Sequence, residues 1–203
     1  MTNHFEMLNS FITRHVEMSE AELTAFNQKC KIVEFSKGDI IMKAGEAHQY
    51  LYFITKGIVK NYIETDFGET KIYNFRTEGM QITGYAAYNY KDNLKALVSV
   101  QCIEDCIMVQ IPFSVIKFVI ENIKSGERLG RGMAEGHVVE MLNYIINRDS
   151  KSIIERYELL EIEYPNIHQR VPQRMIASYL CITPVHLSNL KKNRKIAVEE
   201  TNY

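Results

Sequence analysis

The residues best suited to binding a partner lie in the stretch PQRMIASYLCITPVHLSNLKK, residues 172–192. Its first part has the apolar spacing of a short helix, and the letters CIT form a turn. Thr183 is placed to cap a second helix starting at Pro184, because a threonine oxygen accepts from free N–H groups and proline fits a first helical turn. Leu187 and Leu190 anchor that helix inward. The pattern predicts a helix-turn-helix.

The side chains of this segment suit the chemistry of duplex DNA. Cationic groups neutralise phosphates, which gives salt-dependent affinity without sequence information. Asn189 and His186 can present donors and acceptors to base edges in the major groove, and Val185 can contact a thymine methyl. We expect Gln173 and Thr183 to hold the backbone. The candidate phosphate ligands are Arg170, Arg174, Lys191, Lys192 and Arg194, and the outer or flanking faces of the second helix carry Val185, His186, Ser188, Asn189 and Lys192.

The distribution of charge supports a polyanionic partner more than the net charge of −1 does. Between Tyr164 and Val198 there is no Asp or Glu, while six Lys and Arg residues occur, leaving 18 basic against 25 acidic residues elsewhere. An acidic body with a basic end is expected when one module meets a polyanion. A solvated cationic surface is the alternative.

Elements of two kinds must position this segment. Many short β-rich runs at regular spacing, separated by turn signals such as Lys56-Gly57, predict an antiparallel sandwich, barrel or jelly roll between Lys31 and Pro112. The runs are VEF, DIIMKAG, LYFITKG, IVKNYIET, KIYNFRT, ALVSVQC and CIMVQIP. Residues 4–29 predict one or two helices before them, and Ser19 with Glu22 forms a capping box.

A long apolar stripe predicts a helix over about 126–148, which could pack on the barrel or on a twin helix in a dimer. Its four glycines are unusual, since each costs about 1 kcal/mol relative to alanine in a helix. They allow close helix approach or loosen the segment. Ser152 and Glu155 form a second capping box, so we place the domain boundary between 1–148 and 149–203.

Composition excludes several classes. The 203 residues are 46% hydrophobic and 24% charged, as in folded globular proteins. No run of 18 apolar residues and no signal peptide occur, so we expect no membrane association and a cytoplasmic location. The four cysteines lack paired spacing for a metal or redox site, so we expect reduced thiols and no metal.

Two segments carry a resemblance to the Crp/Fnr family of bacterial transcription regulators. FSKGDIIMKAGE and YLYFITKGIVKNYIETDFGETKIYNF resemble the family's β-roll, and IASYLCITPVHLSNLKK resembles its ASxLGITxxxLSRxRK motif; the likeness spans about Val33 to Lys195. It implies an α+β protein: an N-terminal antiparallel β-roll of the cyclic-nucleotide-binding type (double-stranded β-helix or jelly roll), a long dimerisation helix, and a C-terminal helix-turn-helix domain of winged-helix-like type.

The same resemblance implies a function. It implies a homodimeric transcription regulator, not an enzyme, that binds double-stranded DNA at a pseudo-palindromic operator and has RNA polymerase as a further partner. A wing after the second helix is not evident, because about eight residues follow Lys195. Any wing is therefore expected near 163–171. Pro184-Val185 and Asn189 depart from the Arg-Glu and Arg of several relatives, so their operator does not carry over.

The effector site departs from the family pattern as well. Cyclic-nucleotide binders of the family carry Gly-Glu for the ribose and Arg-Ser or Arg-Thr for the cyclic phosphate. The corresponding positions of an effector pocket here are Gly84-Tyr85 and Lys95-Ala96. Tyrosine cannot replace a carboxylate, and lysine lacks the bidentate fork of arginine. We expect no cofactor and no binding of cyclic AMP; any effector is expected to be anionic or aromatic.

Two other classes of protein compete with this interpretation, and the residues nearly exclude the first. A metal enzyme of the cupin type needs clustered histidines, but His48 is the one histidine in the predicted β region, and Glu104-Asp105 is interpreted as a solvated turn. The other class is a ligand-free or protein-binding β-roll interaction module whose helix pair does not bind DNA. Salt dependence separates it from a DNA-binding protein.

Overall fold

The computed structural model describes residues 4–83 and 95–201, with the backbone alone for 195–201. Two helices come first: α1, His4–Thr13, and α2, Glu20–Asn27. Helix α2 begins with the predicted capping box. The Glu22 N–H donates to Ser19 Oγ at 3.3 Å, and the Ser19 N–H donates to the Glu22 carboxylate at 2.8 Å. The box satisfies two N–H groups at the helix end and confirms the prediction.

Antiparallel strands form two four-stranded sheets within the described residues, with the orders β1-β8-β3-β6 and β2-β7-β4-β5. Each predicted β-rich run contains one of these strands, and the short β6 is an addition. The strands are β1 Lys31–Phe35, β2 Ile40–Met42, β3 Tyr50–Lys56, β4 Val59–Glu64, β5 Thr70–Arg76, β6 Gln81–Ile82, β7 Ser99–Cys102 and β8 Cys106–Pro112. The prediction of a β-roll is confirmed.

The alternation of side chains along β3 explains why the sheets can be covered on both faces. Leu51 and Phe53 pack against the helices, whereas Tyr52 and Ile54 pack in the core between the sheets. Successive side chains of a strand point to opposite faces, so a strand of apolar residues serves two cores. The turn after β3 requires glycine: Gly57 has φ +104°, and a Cβ there would lie 2.5 Å from Cys106 Sγ.

Two helices follow the sheets: α3, Phe113–Asn122, and α4, Gly126–Ser150. The long helix extends two residues beyond the predicted end, and its glycines have different roles. A Cβ on Gly126 would lie 2.0 Å from the Val119 carbonyl oxygen, and one on Gly130 would lie 3.0 Å from Ile120. These two glycines let α3 and α4 approach closely. A Cβ on Gly136 would meet open space, so close packing does not explain every glycine.

From residue 153 the described part of the chain consists of helices joined by short turns. These helices are α5 Ile153–Glu163, α6 Ile167–Arg170, α7 Gln173–Tyr179 and α8 Pro184–Thr201. Helix α5 begins with the predicted capping box, in which Ser152 and Glu155 exchange hydrogen bonds. The prediction of a wing near 163–171 was wrong, because the short helix α6 lies in this segment. Because the Ile167 side chain is buried in the core, the segment forms a helical turn.

The C-terminal helices pack directly on strand β5, an edge strand of its sheet. Ser178 Oγ donates to the Thr70 carbonyl at 2.9 Å and accepts from the Ile72 N–H at 3.3 Å, as a neighbouring strand would. The Tyr164 hydroxyl donates to the Phe75 carbonyl at 2.8 Å. One apolar cluster joins both parts, and its buried members are Ile58, Tyr62, Ile72, Phe75, Ile103, Tyr157, Leu160, Tyr164, Ile167, Val171, Ile176, Ala177, Leu180, Leu187 and Leu190.

No helix among the described residues is long and apolar enough to cross a membrane.

Candidate nucleic-acid interface

The helix pair α7 and α8 has the geometry that its sequence predicts. Thr183 Oγ1 accepts from the His186 N–H at 3.1 Å, which caps α8 just before Pro184. Cys181 takes the left-handed conformation, with φ 58°, that a glycine would adopt without strain. Leu187 is completely buried against α7 and the cluster on β5. The turn and the buried anchors therefore fix which face of α8 points outward.

That outward face carries the predicted base-contacting side chains. All of them are exposed, and Val185 keeps 70% of its accessible surface. An apolar side chain so exposed at the first turn of a helix can contact a thymine methyl without rearrangement. The exposed residues on this surface, called the α8 face below, are Val185, His186, Ser188, Asn189 and Lys192.

The predicted cationic residues divide into two groups. Arg174 of α7 and Lys192 of α8 are exposed, and Lys191 of α8 is half-buried. The structure revises the roles of the two other arginines, because acidic side chains from distant parts of the chain bind them. Gln173 is the exposed first residue of α7 and contributes no side-chain hydrogen bond among those resolved in the described part of the molecule.

Arg194 of α8 is held by helix α5. Its guanidinium lies 2.5 Å from Glu161 and 3.7 Å from Glu158, and it stacks over the Tyr157 ring at 5.6 Å. His168 Nε2 lies 2.8 Å from the same Glu161 carboxylate and 2.9 Å from the Tyr157 hydroxyl. Burial alone would raise the pKa of Glu161, but hydrogen bonds from Arg194 and His168 outweigh it and lower that pKa.

Arg170, at the end of α6, reaches the β-roll instead of solvent. Its guanidinium forms a bidentate contact with both carboxylate oxygens of Glu78, at 2.8 and 3.0 Å, and donates twice to Glu104 Oε1, at 2.5 and 3.2 Å. It also donates to Thr77 Oγ1 at 3.1 Å. The sequence suggested that Glu104 lies in a solvated turn; instead, its carboxylate binds Arg170. Burial would raise the pKa of Glu78, but hydrogen bonds from Arg170 and Thr77 lower it to about 2. The sequence contains no signal for this cluster, because its members lie 66 and 92 residues apart.

A second concave region lies between the β-roll and the inner side of α4. Its volume is about 860 Å³, and helices α5 and α7 also contribute to its lining, with Arg156 and Glu163 from α5 and Tyr179 from α7. Lys95 is exposed and bridges to Ala47 through the backbone, while Ala96 is buried in the core between the sheets. Neither is among the described residues that line the cavity, and Gly84-Tyr85 lies outside the described residues. The polar and aromatic lining residues, which sequence analysis missed, include Asn61, Tyr73, Asn74, Arg76, His137, Glu140 and Tyr144.

Three arginines among the described residues line this cavity, and one of them, Arg76, is paired with a carboxylate. Arg76 of β5 lies 2.5 Å from Glu140 of α4, and His137 lies 3.7 Å from the same carboxylate. Burial would raise the pKa of Glu140, but hydrogen bonding to His137 and the charge of Arg76 lower it to about 2. An anion entering the cavity would have to compete with Glu140 for Arg76. Within the described residues, no group of three or more His, Cys, Asp or Glu side chains is arranged to hold a metal ion.

Comparison with known proteins agrees with this architecture. Residues 32–122 match the family model of the cyclic nucleotide-binding domain. The fold is similar to FixK2 from Bradyrhizobium japonicum, with a TM-score of 0.71 and 16% identity over 83% of this chain and 85% of that one. It is also similar to a protein from Eubacterium rectale assigned to the Crp/Fnr family of transcriptional regulators, with a TM-score of 0.70 and 14% identity over 96% and 88%.

A third similar structure is CLP from Xanthomonas campestris, a global regulator that responds to c-di-GMP, with a TM-score of 0.67 and 12% identity over 88% of this chain and 93% of that one. No curated protein matches the chain in sequence. The fold and the matched region define a protein with a cyclic-nucleotide-binding-type β-roll. Structures of Crp/Fnr regulators share this fold, so the resemblance that the motifs indicate is confirmed at the level of the fold.

Proposed function

We propose that this chain is a transcription regulator that binds double-stranded DNA as a homodimer at a pseudo-palindromic operator. The observation that carries the proposal is the α8 face: polar and cationic side chains are exposed on a helix whose opposite side is anchored in a core. Such a helix can enter the major groove, where directional side chains read base edges and lysines contact phosphates.

The proposed dimer rests on helix α4. Its outward side exposes a run of large apolar residues, with Leu142 49% and Ile146 55% exposed. Contiguous apolar surface on a long helix is typical of a helix–helix interface. The exposed residues, called the α4 apolar face, are Val138, Val139, Met141, Leu142, Ile145 and Ile146; Val139 and Met141 lie at its edges, where they also line the cavity. A two-fold dimer would place its α8 helices about 34 Å apart, one turn of DNA.

We also propose that cyclic AMP is not the effector. Tyr85 stands where a carboxylate would bind the ribose, and Lys95 stands where arginine would hold the phosphate. In the cavity, Arg76 is already paired with Glu140, whereas Arg156 has no ion pair within the part of the chain that the structure describes, and the tyrosines of the lining suit an aromatic ligand. Calorimetry should detect no cyclic-AMP binding; tight binding abolished by Lys95→Ala would overturn the proposal. RNA polymerase is the further partner implied by regulators of this fold.

Selection of bound fragments from a random DNA pool tests the function directly. We expect an inverted repeat whose half-site centres lie one helical turn apart, and an affinity that falls steeply as salt rises. Binding to DNA without sequence preference would reduce the chain to a non-specific binder. Absence of DNA binding, with salt-insensitive capture of a protein partner, would favour an interaction module instead.

A further inference from the structure

The C-terminal helices α5 to α8 are bonded to the β-roll along strand β5 and also at a point away from that strand. Ser178 is bonded to the backbone of Thr70 and Ile72, and Tyr164 is bonded to the backbone of Phe75. All three backbone partners belong to strand β5. Bonds along one strand hold a body to that strand but leave rotation about the strand axis as the least restrained motion. The shared apolar cluster also reaches three buried residues outside β5, namely Ile58, Tyr62 and Ile103, but apolar contacts are not directional. A polar attachment away from β5 is therefore what fixes the angle of rotation.

Arg170 supplies that attachment. It binds Glu78 in the turn after β5 and Glu104 in the turn between β7 and β8. Glu104 lies in the turn that connects the two sheets, away from β5, so its bond to Arg170 resists rotation of the helices about β5. The acceptor side is itself fixed, since the Gly57 N–H donates to Glu78 at 2.8 Å. Two turns of the β-roll therefore supply carboxylates to one guanidinium, and the turn at Gly57 fixes one of those carboxylates.

We infer that Arg170 is a positioning residue that sets the rotation of the helix pair about β5 and thereby the direction in which the α8 face points. The effect of this orientation on DNA binding rests on the proposed function, whereas the orientation itself does not. A planar guanidinium suits the role, because two carboxylates can bind it at once with fixed geometry. A lysine ammonium is a single point charge and cannot hold both glutamates in the same way.

The consequence in a dimer concerns spacing. When the direction of both α8 helices is fixed, they bind DNA together with high affinity only if the spacing of the half-sites matches their separation. Loosely held helices would bind operators of several spacings with similar affinity. Arg170 would therefore determine spacing selectivity while contributing little to base recognition. Arg174 is the matched control, because it is an exposed arginine at the start of α7 with no ion pair among those resolved in the described residues.

The first experiment measures orientation without DNA. Cys181, in the turn of the helix pair, is exposed, while Cys30, Cys102 and Cys106 are buried, so one native thiol accepts a spin label. A second label on Lys31→Cys, on β1, gives an intramolecular distance when labelled protein is diluted with unlabelled chain. We expect a narrow distance distribution in the parent and a broader or shifted one in Arg170→Ala and Glu104→Gln, both still folded by circular dichroism. An unchanged distribution in both variants overturns the inference.

The second experiment measures affinity on operators whose half-sites are moved by one and two base pairs. We expect the parent to prefer its best spacing by about 100-fold and Arg170→Ala to prefer it by less than about 10-fold. Arg174→Ala should weaken binding equally at all spacings, and Arg170→Lys should give an intermediate preference. Full spacing selectivity in Arg170→Ala would refute the consequence at DNA. Changed label distances without DNA binding by the parent would instead refute the proposed function and leave the orientation role intact.

Discussion

At the scale of single residues, the charge of a side chain was predictable from sequence but its availability was not. Six cations occur in a window without acids, yet Glu158 and Glu161 hold Arg194, and Glu78 and Glu104 hold Arg170. Exposed ion pairs contribute little, but half-buried pairs with several hydrogen bonds restrict geometry. The cationic surface proposed to meet phosphates is therefore smaller than the sequence suggests.

Substitutions on the α8 face separate base recognition from phosphate binding. We expect Asn189→Ala to cost about 1–3 kcal/mol of binding free energy on the preferred operator and little on unrelated DNA. Lys192→Ala should weaken binding to both and reduce the salt slope by about one. Fluorescence anisotropy titrations at several salt concentrations measure both effects.

Arg194→Ala provides the control for this prediction. Because its guanidinium is bound to Glu161 and Glu158, we expect the salt slope of DNA binding to stay unchanged. A decrease as large as that of Lys192→Ala would mean that Arg194 leaves its carboxylates and contacts phosphate.

At the scale of elements, capping boxes and periodicities were predictable because they depend on residues three or four positions apart. The beginnings of α2 and α5 follow from Ser19 with Glu22 and Ser152 with Glu155. The meaning of the α4 glycines was not predictable, because α3 lies against only part of that helix.

Two glycines of α4 should respond oppositely to the same substitution. Gly126→Ala should lower the free energy of unfolding by about 1–3 kcal/mol, since the added Cβ would lie 2.0 Å from the Val119 carbonyl. Gly132→Ala should raise it by up to about 1 kcal/mol, since its Cβ makes an ordinary 3.8 Å contact with His15 and alanine favours helix. Urea denaturation measures both; equal effects would contradict the packing of α3 against α4.

The bond between β5 and α4 predicts a pH dependence. The pKa of Glu140 is lowered from 4.5 to about 2 in the folded chain, so its ionised form stabilises the fold above pH 4.5 and this contribution is lost as pH falls towards 2. We expect the urea midpoint to decrease over this range. Glu140→Gln should be less stable at neutral pH and should lose less stability on acidification; an identical pH profile in both proteins would exclude Glu140 as a source.

At the scale of the whole molecule, the β-roll and the helix pair share one apolar cluster instead of meeting through a thin linker contact. The boundary placed near residue 148 separates two parts of the sequence, but the apolar cluster contains residues from both parts. Movement of the helix pair therefore requires that the Arg170 contacts and part of this cluster change together.

The α4 apolar face predicts the oligomeric state. Leu142→Glu would place a charge in the proposed interface, and we expect sedimentation to show a shift from dimer to monomer at micromolar concentration with DNA affinity lost in parallel. Lys117→Glu, on an exposed position of α3, should remain dimeric. A parent protein that sediments only as monomer, or a Leu142→Glu variant that stays dimeric, would contradict an interface on this face.

The sequence by itself determined most of the strands and helices, where α2 and α5 begin, and that two helices joined by a tight turn follow residue 172, because caps, periodicity and turns involve neighbouring residues. Tertiary structure alone decided that 163–171 forms a short helix, that Gly126 but not Gly136 serves packing, and that Arg170 faces Glu104. These outcomes depend on which distant segments meet in space. Residue spacing carries no information about contacts made across 66 positions of chain.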